Sequence, residues 1–365
     1  MIDILKSIGC RAEYNGSTLY INSSNIDNTS IKEEYMKMLR SSIIVMGAMI
    51  GRFTDINISY PGGCSIGSRP IDLHLVALEK LGVNITEENG YIYCHRDTLV
   101  GNIINLKFPS VGATENAILA AVKAKGTTLI NNAAREPEIE DLQNFLNSMG
   151  AKVSGAGTNC IRIEGVDKLH SVNHTIIPDR IAIGTYMVAS AITGGSLEVD
   201  NVIKKHMDPI VDKLEQAGCN IEYKREGLIM LPPKKITPID IVRTSPHPGF
   251  PTDMQSQLMT MLCLSEGISV LHETIFENRF MHCSELIKMG ANIKNITDDI
   301  CMIKGVNSLD GAIVKAQDLR GGAALILAGL VPNGKTEILN ISHVERGYEE
   351  IEVTLKNLGA DINKI

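Results

Sequence analysis

A chain of 365 residues, 44% apolar and 21% charged, has the composition of a globular protein too long for one ordinary core, so two domains are expected. No apolar run approaches the roughly 18 residues of a membrane span. The start Met1-Ile2-Asp3-Ile4-Leu5-Lys6 is not a signal peptide, and a net charge of −7 disfavours nucleic acid as the partner. The eight cysteines are scattered with no Cys-x-x-Cys pair, which argues against a metal site or a disulfide framework and for a reducing cytosol. An anionic small molecule would need a local cluster of arginines working against the overall field.

In chain order, the first element is the end of a helix, Leu5-Lys6-Ser7-Ile8, closed by Gly9 and followed by a strand. The same element recurs with glycines at 82, 150, 218, 290 and 359, so the intervals run from 68 to 73 residues and define six units. Each glycine is placed as a left-handed helix cap, with alternating strand residues after it. Apolar helices are expected over Thr114–Lys125, Gly184–Thr193, Gln255–Ser265 and Gly321–Leu330. Their nearly all-round apolar faces mark them as buried. A strand follows each helix, then a polar loop, an amphipathic helix and a hairpin such as Tyr91–Tyr93 or Ile161–Ile163. Each unit thus has two helices and about four strands. A boundary is expected where a strand stops at Pro178, giving domains 1–178 and 179–365.

By the same spacing the first glycine should fall near position 70, so roughly sixty residues of the first unit are absent. The chain also ends just after the sixth glycine, with no closing hairpin. Circular closure, with an N-terminal strand completing the last unit, would explain a complete ancestor.

The polar loops carry the unusual chemistry. The second unit has Tyr60-Pro61-Gly62-Gly63-Cys64-Ser65-Ile66-Gly67-Ser68-Arg69-Pro70, a loop by its glycines and prolines, running into a helix at Ile71-Asp72-Leu73-His74. A cysteine on such a loop beside an arginine suits thiolate or proton-donor chemistry. Later loops hold Arg135, Lys205-His206, Glu277-Asn278-Arg279 and Glu345-Arg346-Gly347-Tyr348. Loops at equivalent ends of repeated units can converge, which would concentrate arginines at one place.

The segment Pro61–His74 closely resembles the catalytic loop of the UDP-N-acetylglucosamine 1-carboxyvinyltransferase family. Ser110–Asn116, Asn132–Ile139, Pro178–Ile181, Pro246–Gln255, Glu273–His282 and Arg346–Glu349 are similar to further segments of that family, in order along nearly the whole chain. The resemblance implies an α/β fold, a two-domain inside-out α/β barrel of βαβαββ repeats with its first repeat truncated, and a site between the domains. It implies transfer of enolpyruvyl from phosphoenolpyruvate to the 3-hydroxyl of UDP-N-acetylglucosamine, the first committed step of peptidoglycan synthesis. No cofactor and no metal are implied, and the partners are the two small-molecule substrates, with neither nucleic acid nor membrane. The Pro-Gly-Gly-Cys loop belongs to the sugar-nucleotide branch and disfavours the sister enzyme acting on shikimate 3-phosphate.

By the same resemblance, Cys64 is the general acid, able to form an adduct with phosphoenolpyruvate and open to alkylation by fosfomycin. Asp253 is the carboxylate near the attacking hydroxyl, as base or orienter. Arg69, Arg320 and Arg346 bind phosphoenolpyruvate. Arg40, Arg69, Pro70, Ile71, Asp72, Leu73, Ser110, Val111, Gly112, Asp253 and Ile275 bind the sugar nucleotide. Arg279 and Arg180 fix loop and interdomain geometry, and His74 and His206 are structural. Two patterns depart from the family. Its early Lys-Asn pair, whose lysine contacts phosphoenolpyruvate, has no counterpart here, a loss expected to cost about 2–4 kcal/mol of transition-state stabilisation. Its first strand is likewise without counterpart, which exposes a sheet edge. The alternative reading is therefore a catalytically impaired paralogue that only binds UDP-N-acetylglucosamine.

Overall fold

The computed structural model describes residues 1–365 apart from Gly16, Ser17, Gly63, Cys64, Ser65 and Pro332. The proposed general acid, Cys64, therefore lies outside the described residues. The chain divides into two compact units, residues 1–64 with 68–177 and residues 178–365 with 65–67. Each has its own core of Ile, Leu, Val, Met and Ala side chains.

The repeated element is clearest over residues 103–164. Strand Ile103–Asn105 pairs in parallel with Thr127–Asn131, which pairs antiparallel with Cys160–Glu164, which in turn pairs with Lys152–Ser154. A parallel pair needs a crossover, and the helix Val111–Ala121 supplies it. A second helix, Pro137–Ser148, leads into the hairpin. The same order of four strands is found for Ser30–Ile31, Asp55–Ser59, Tyr91–His95 and Asn84–Glu88, and for Ile241–Arg243, Ile268–His272, Ile300–Lys304 and Asn292–Asn295.

Three sheets are smaller, among the described residues, and the first is the antiparallel pair Arg11–Asn15 with Thr18–Asn22. Leu197–Asp200, Gly227–Leu231 and Asn220–Tyr223 make three strands, and Ile313–Lys315 with Glu337–Leu339 make two. The strand expected just before Pro178 does not form. Ile176 there is 77% exposed, so no apolar face holds the segment against a sheet, and the proline cannot donate to a ladder.

The six glycines at the helix ends have φ between +88° and +103°, the left-handed conformation expected of them. Around Gly82 the bonding is explicit. Gly82 N–H donates to Glu79 O at 2.9 Å, and Val83 N–H donates to Leu78 O at 3.2 Å. Leu78 and Val83 are both buried, which completes the hydrophobic contact typical of this cap. The cap thus ends the helix and turns the next residues into the strand in one step.

Small residues set the closeness of the central helices. Helix Gln255–Leu262 has all eight residues buried, and Leu319–Ala328 is buried at eight of ten. In the first unit, Gly47 on helix Val45–Arg52 lies against the backbone of Asn116, where a Cβ would fall 2.4 Å from the Asn116 carbonyl oxygen. Gly47 N–H donates to Asn116 Oδ1 at 2.8 Å, and Asn116 Nδ2 donates to Ile43 O at 3.0 Å. This buried amide joins two helices that sequence periodicity alone treats as separate.

The two kinds of glycine should behave differently. Gly82→Ala meets only Thr98 O at 3.4 Å, so its cost is the left-handed backbone, about 1–2 kcal/mol. Gly47→Ala must push two helices apart, and should cost about 3 kcal/mol or more in chemical unfolding. Equal losses for the two would contradict this packing.

Glu115, on helix Val111–Ala121, gives a pH signature. Burial, then the Glu138 and Glu136 charges, push its pKa up to about 7. The folded state therefore holds a proton that the unfolded chain releases, and stability falls as pH rises toward and through 7. Glu115→Gln should match the parent protein near pH 4.5 and exceed it by about 1–3 kcal/mol at pH 8, read from unfolding curves at both values.

Candidate functional site

In the second unit a group of charged side chains gathers on Asp253, in the 3₁₀ turn Thr252–Met254 that leads into the buried helix Gln255–Leu262. Its carboxylate is shared. Arg279 Nη2 donates to Oδ1 at 3.0 Å and Arg320 Nη2 donates to Oδ2 at 3.1 Å. The two arginines differ in freedom. Arg279 is only 2% exposed, donates also to Thr252 O at 3.0 Å, and lies 3.7 Å from Asp318. Arg320 follows the cap of helix Leu319–Ala328, where Asp318 Oδ1 accepts from the backbone N–H groups of Arg320 and Gly321.

Desolvation pushes the Asp253 pKa upward, but the Arg320 and then the Arg279 guanidinium outweigh it and bring the value down to about 2. A carboxylate so held is a strong hydrogen-bond acceptor and a weak proton acceptor. Its basicity rises when a guanidinium is drawn off it.

The surrounding loop is stapled by Glu273, itself 2% exposed. Its Oε1 accepts from Thr244 Oγ1 and from the Ile275 N–H, and its Oε2 accepts from Thr252 Oγ1. Ile275 is thereby tied through one side chain to the residue beside Asp253. Arg346 is exposed, and its side chain makes no ion pair among the described residues, so the geometry does not join it to Asp253.

The first unit gathers a second set of groups around His74. The ring is buried and its Nδ1 lies 2.7 Å from Asn116 Nδ2, so Nδ1 accepts and the proton sits on Nε2. Burial first, then the Arg40 charge and a smaller push from Arg69, outweigh Asp72 and together bring its pKa down to about 4. Arg40 and Arg69 thus both act on one neutral ring.

That ring packs beside the start of helix Val111–Ala121, where a Cβ on Gly112 would fall 3.0 Å from His74 Cε1. Ser110 caps this helix, its Oγ accepting from the Ala113 N–H at 3.4 Å. Helix N–H groups and two guanidinium groups make the combination that binds phosphate. Arg69 itself has φ +44°, an uncommon conformation for a residue with a side chain. Pro70 and Asp72 are exposed and Leu73 half-buried, but Ile71 is 5% exposed and belongs to the core. It can meet a ligand only through its main chain.

Arg40, Arg69, Ser110, Gly112, Asp253 and Arg320 are candidates from the sequence, and the structure adds partners to them. Arg279, which holds the loop through Thr252 O, is also the buried counter-ion of Asp253. Tyr348 carries no signal of its own in the sequence, and its hydroxyl accepts from Arg320 Nη1 at 3.0 Å.

The family model described as EPSP synthase (3-phosphoshikimate 1-carboxyvinyltransferase) matches residues 1–355. The chain is 50% identical over all 365 residues to UDP-N-acetylglucosamine 1-carboxyvinyltransferase 2 of Caldanaerobacter subterraneus subsp. tengcongensis, covering 87% of that protein. It is 49% identical over 350 residues to UDP-N-acetylglucosamine 1-carboxyvinyltransferase 1 of Staphylococcus aureus, covering 96% of this chain and 83% of the relative. Among solved structures, the enolpyruvyl transferase NikO from Streptomyces tendae superposes with a TM-score of 0.86 over 99% of this chain and 86% of NikO, at 24% identity, which speaks to the fold. The chain belongs to the UDP-N-acetylglucosamine 1-carboxyvinyltransferase family, with the fold of the enolpyruvyl transferases.

Proposed function

We propose that this protein transfers the enolpyruvyl group of phosphoenolpyruvate to the 3-hydroxyl of UDP-N-acetylglucosamine, releasing phosphate. The observation that carries this reading is the identity of about half of all residues, end to end, with carboxyvinyltransferases. The sugar oxygen adds to C2 of the enol as a proton reaches the methylene carbon, giving a tetrahedral ketal. Loss of a proton from that methyl group and cleavage of the C2–O bond to phosphate then regenerate the double bond.

Each step needs a group of a given kind. Asp253 orients the hydroxyl and receives its proton, and it does so once an anion competes for Arg320 and leaves the carboxylate less compensated. Arg320, with Arg69 and Arg346, offers the planar fork that suits carboxylate and phosphate. Arg40, Arg69, residues 70–73, the cap at Ser110–Gly112 and Ile275 hold the sugar nucleotide. Cys64 supplies the proton to the methylene carbon and is the thiol that fosfomycin alkylates. The reaction places the protein in peptidoglycan assembly, and so in cell shape and division, with its small-molecule substrates in the cytoplasm and neither nucleic acid nor membrane as partner. Among the described residues no helix is long and apolar enough to cross a membrane.

A coupled phosphate-release assay tests this. Release should require both substrates together. Cys64→Ser should abolish it and leave the protein inert to fosfomycin alkylation. Asp253→Asn should lower kcat by about 10²–10⁴-fold, the usual contribution of a positioned acid or base. Sugar-nucleotide binding without turnover in the parent protein would overturn the reading.

A further inference from the structure

We propose that Tyr348 is the positioning residue that holds Arg320 in place for an anionic substrate, through a hydrogen-bond chain anchored on Thr185. The proposal rests on the reading above, in which Arg320 binds phosphoenolpyruvate.

The polarity of this chain follows from counting protons. Thr185 Oγ1 lies 2.8 Å from Ile181 O, a carbonyl that can only accept, so the threonine proton is committed there. Tyr348 Oη lies 2.8 Å from Thr185 Oγ1, and the tyrosine must therefore be the donor. Both lone pairs of the phenolic oxygen remain to accept, and they face Arg320 Nη1 at 3.0 Å and Gln257 Nε2 at 3.3 Å. The second N–H of Gln257 points to Thr185 Oγ1 at 3.2 Å. With the threonine and tyrosine protons both committed, the amide nitrogen of Gln257 must face them. The hydroxyl of Tyr348, a residue 3% exposed, is thus saturated and aimed in one direction.

The rest of Arg320 is arranged for exchange. Its Nη2 is on Asp253, whose side chain is 41% exposed, and its buried Nε has no partner among the described residues. The other guanidinium on Asp253, that of Arg279, is sealed in the core. Arg320 is therefore the cation that an incoming carboxylate or phosphate can take over. When Nη2 leaves Asp253, the bond at Nη1 and the tyrosine ring, 5.5 Å from the guanidinium carbon, keep the fork from following the ligand or folding back. A fork fixed at one end loses less freedom on binding.

The test is Tyr348→Phe, which keeps the ring and removes only the oxygen. The KM for phosphoenolpyruvate should rise about five- to tenfold with the KM for UDP-N-acetylglucosamine unchanged, while the buried donors left unpaired lower the melting temperature modestly. Thr185→Val, which removes the acceptor of the tyrosine proton, should move the same constant in the same direction by a smaller factor. An unchanged KM for phosphoenolpyruvate in both variants, or equal changes in the two KM values, overturns the positioning role alone. Failure of the parent protein to release phosphate from the two substrates overturns the proposed function and this inference with it.

Discussion

The carboxylate of Asp253 divides its negative charge between two guanidinium groups, one on each oxygen. One of its cations is buried with a second carboxylate, Asp318, close by, and the other sits at the start of a helix within reach of solvent. This asymmetry decides what the site can do. A fully exposed pair would be screened and weak, whereas a fully buried one would have no reason to open. A pair with one fixed and one exchangeable partner lets an arriving anion alter the proton affinity of a neighbouring group without moving the backbone.

The scaffold is suited to hold such a pair. Asp253 and Arg320 stand at the starts of two buried helices, Gln255–Leu262 and Leu319–Ala328, each preceded by a strand of its own repeat. In the four-stranded repeats and in the pair Ile313–Lys315 with Glu337–Leu339, the first strand leads into the buried helix, and the helix returns the chain to the sheet. Residues at the helix starts are therefore presented at equivalent ends of successive repeats. In the first unit, the Ser110–Gly112 cap occupies the corresponding place.

Much of this was legible in the chain because it depends on local chemistry. A glycine forced into the left-handed region leaves a mark that recurs at each helix end, and six such marks give the repeat. The buried helices betray themselves by lacking a polar face. What was not legible depends on residues far apart in sequence. Asn116 belongs to the Ser110–Asn116 segment, but its partners Gly47, Ile43 and His74 lie 69, 73 and 42 positions away. Tyr348 and Thr185 are separated by 163 residues, and no pattern of either segment announces that they meet. The expected strand before Pro178 failed for the converse reason, since its apolar residues have no surface to cover.

His74 stands among cationic groups, yet its Nδ1 is occupied by an amide hydrogen and its ring is shut away from water. It serves as an uncharged spacer that props the helix cap while contributing nothing to the local field. Any attraction for an anion there comes from the helix N–H groups at Ser110–Gly112 and from guanidinium groups whose charge is permanent. The electrostatic pull on such a ligand is consequently constant across the acidities a living cell experiences.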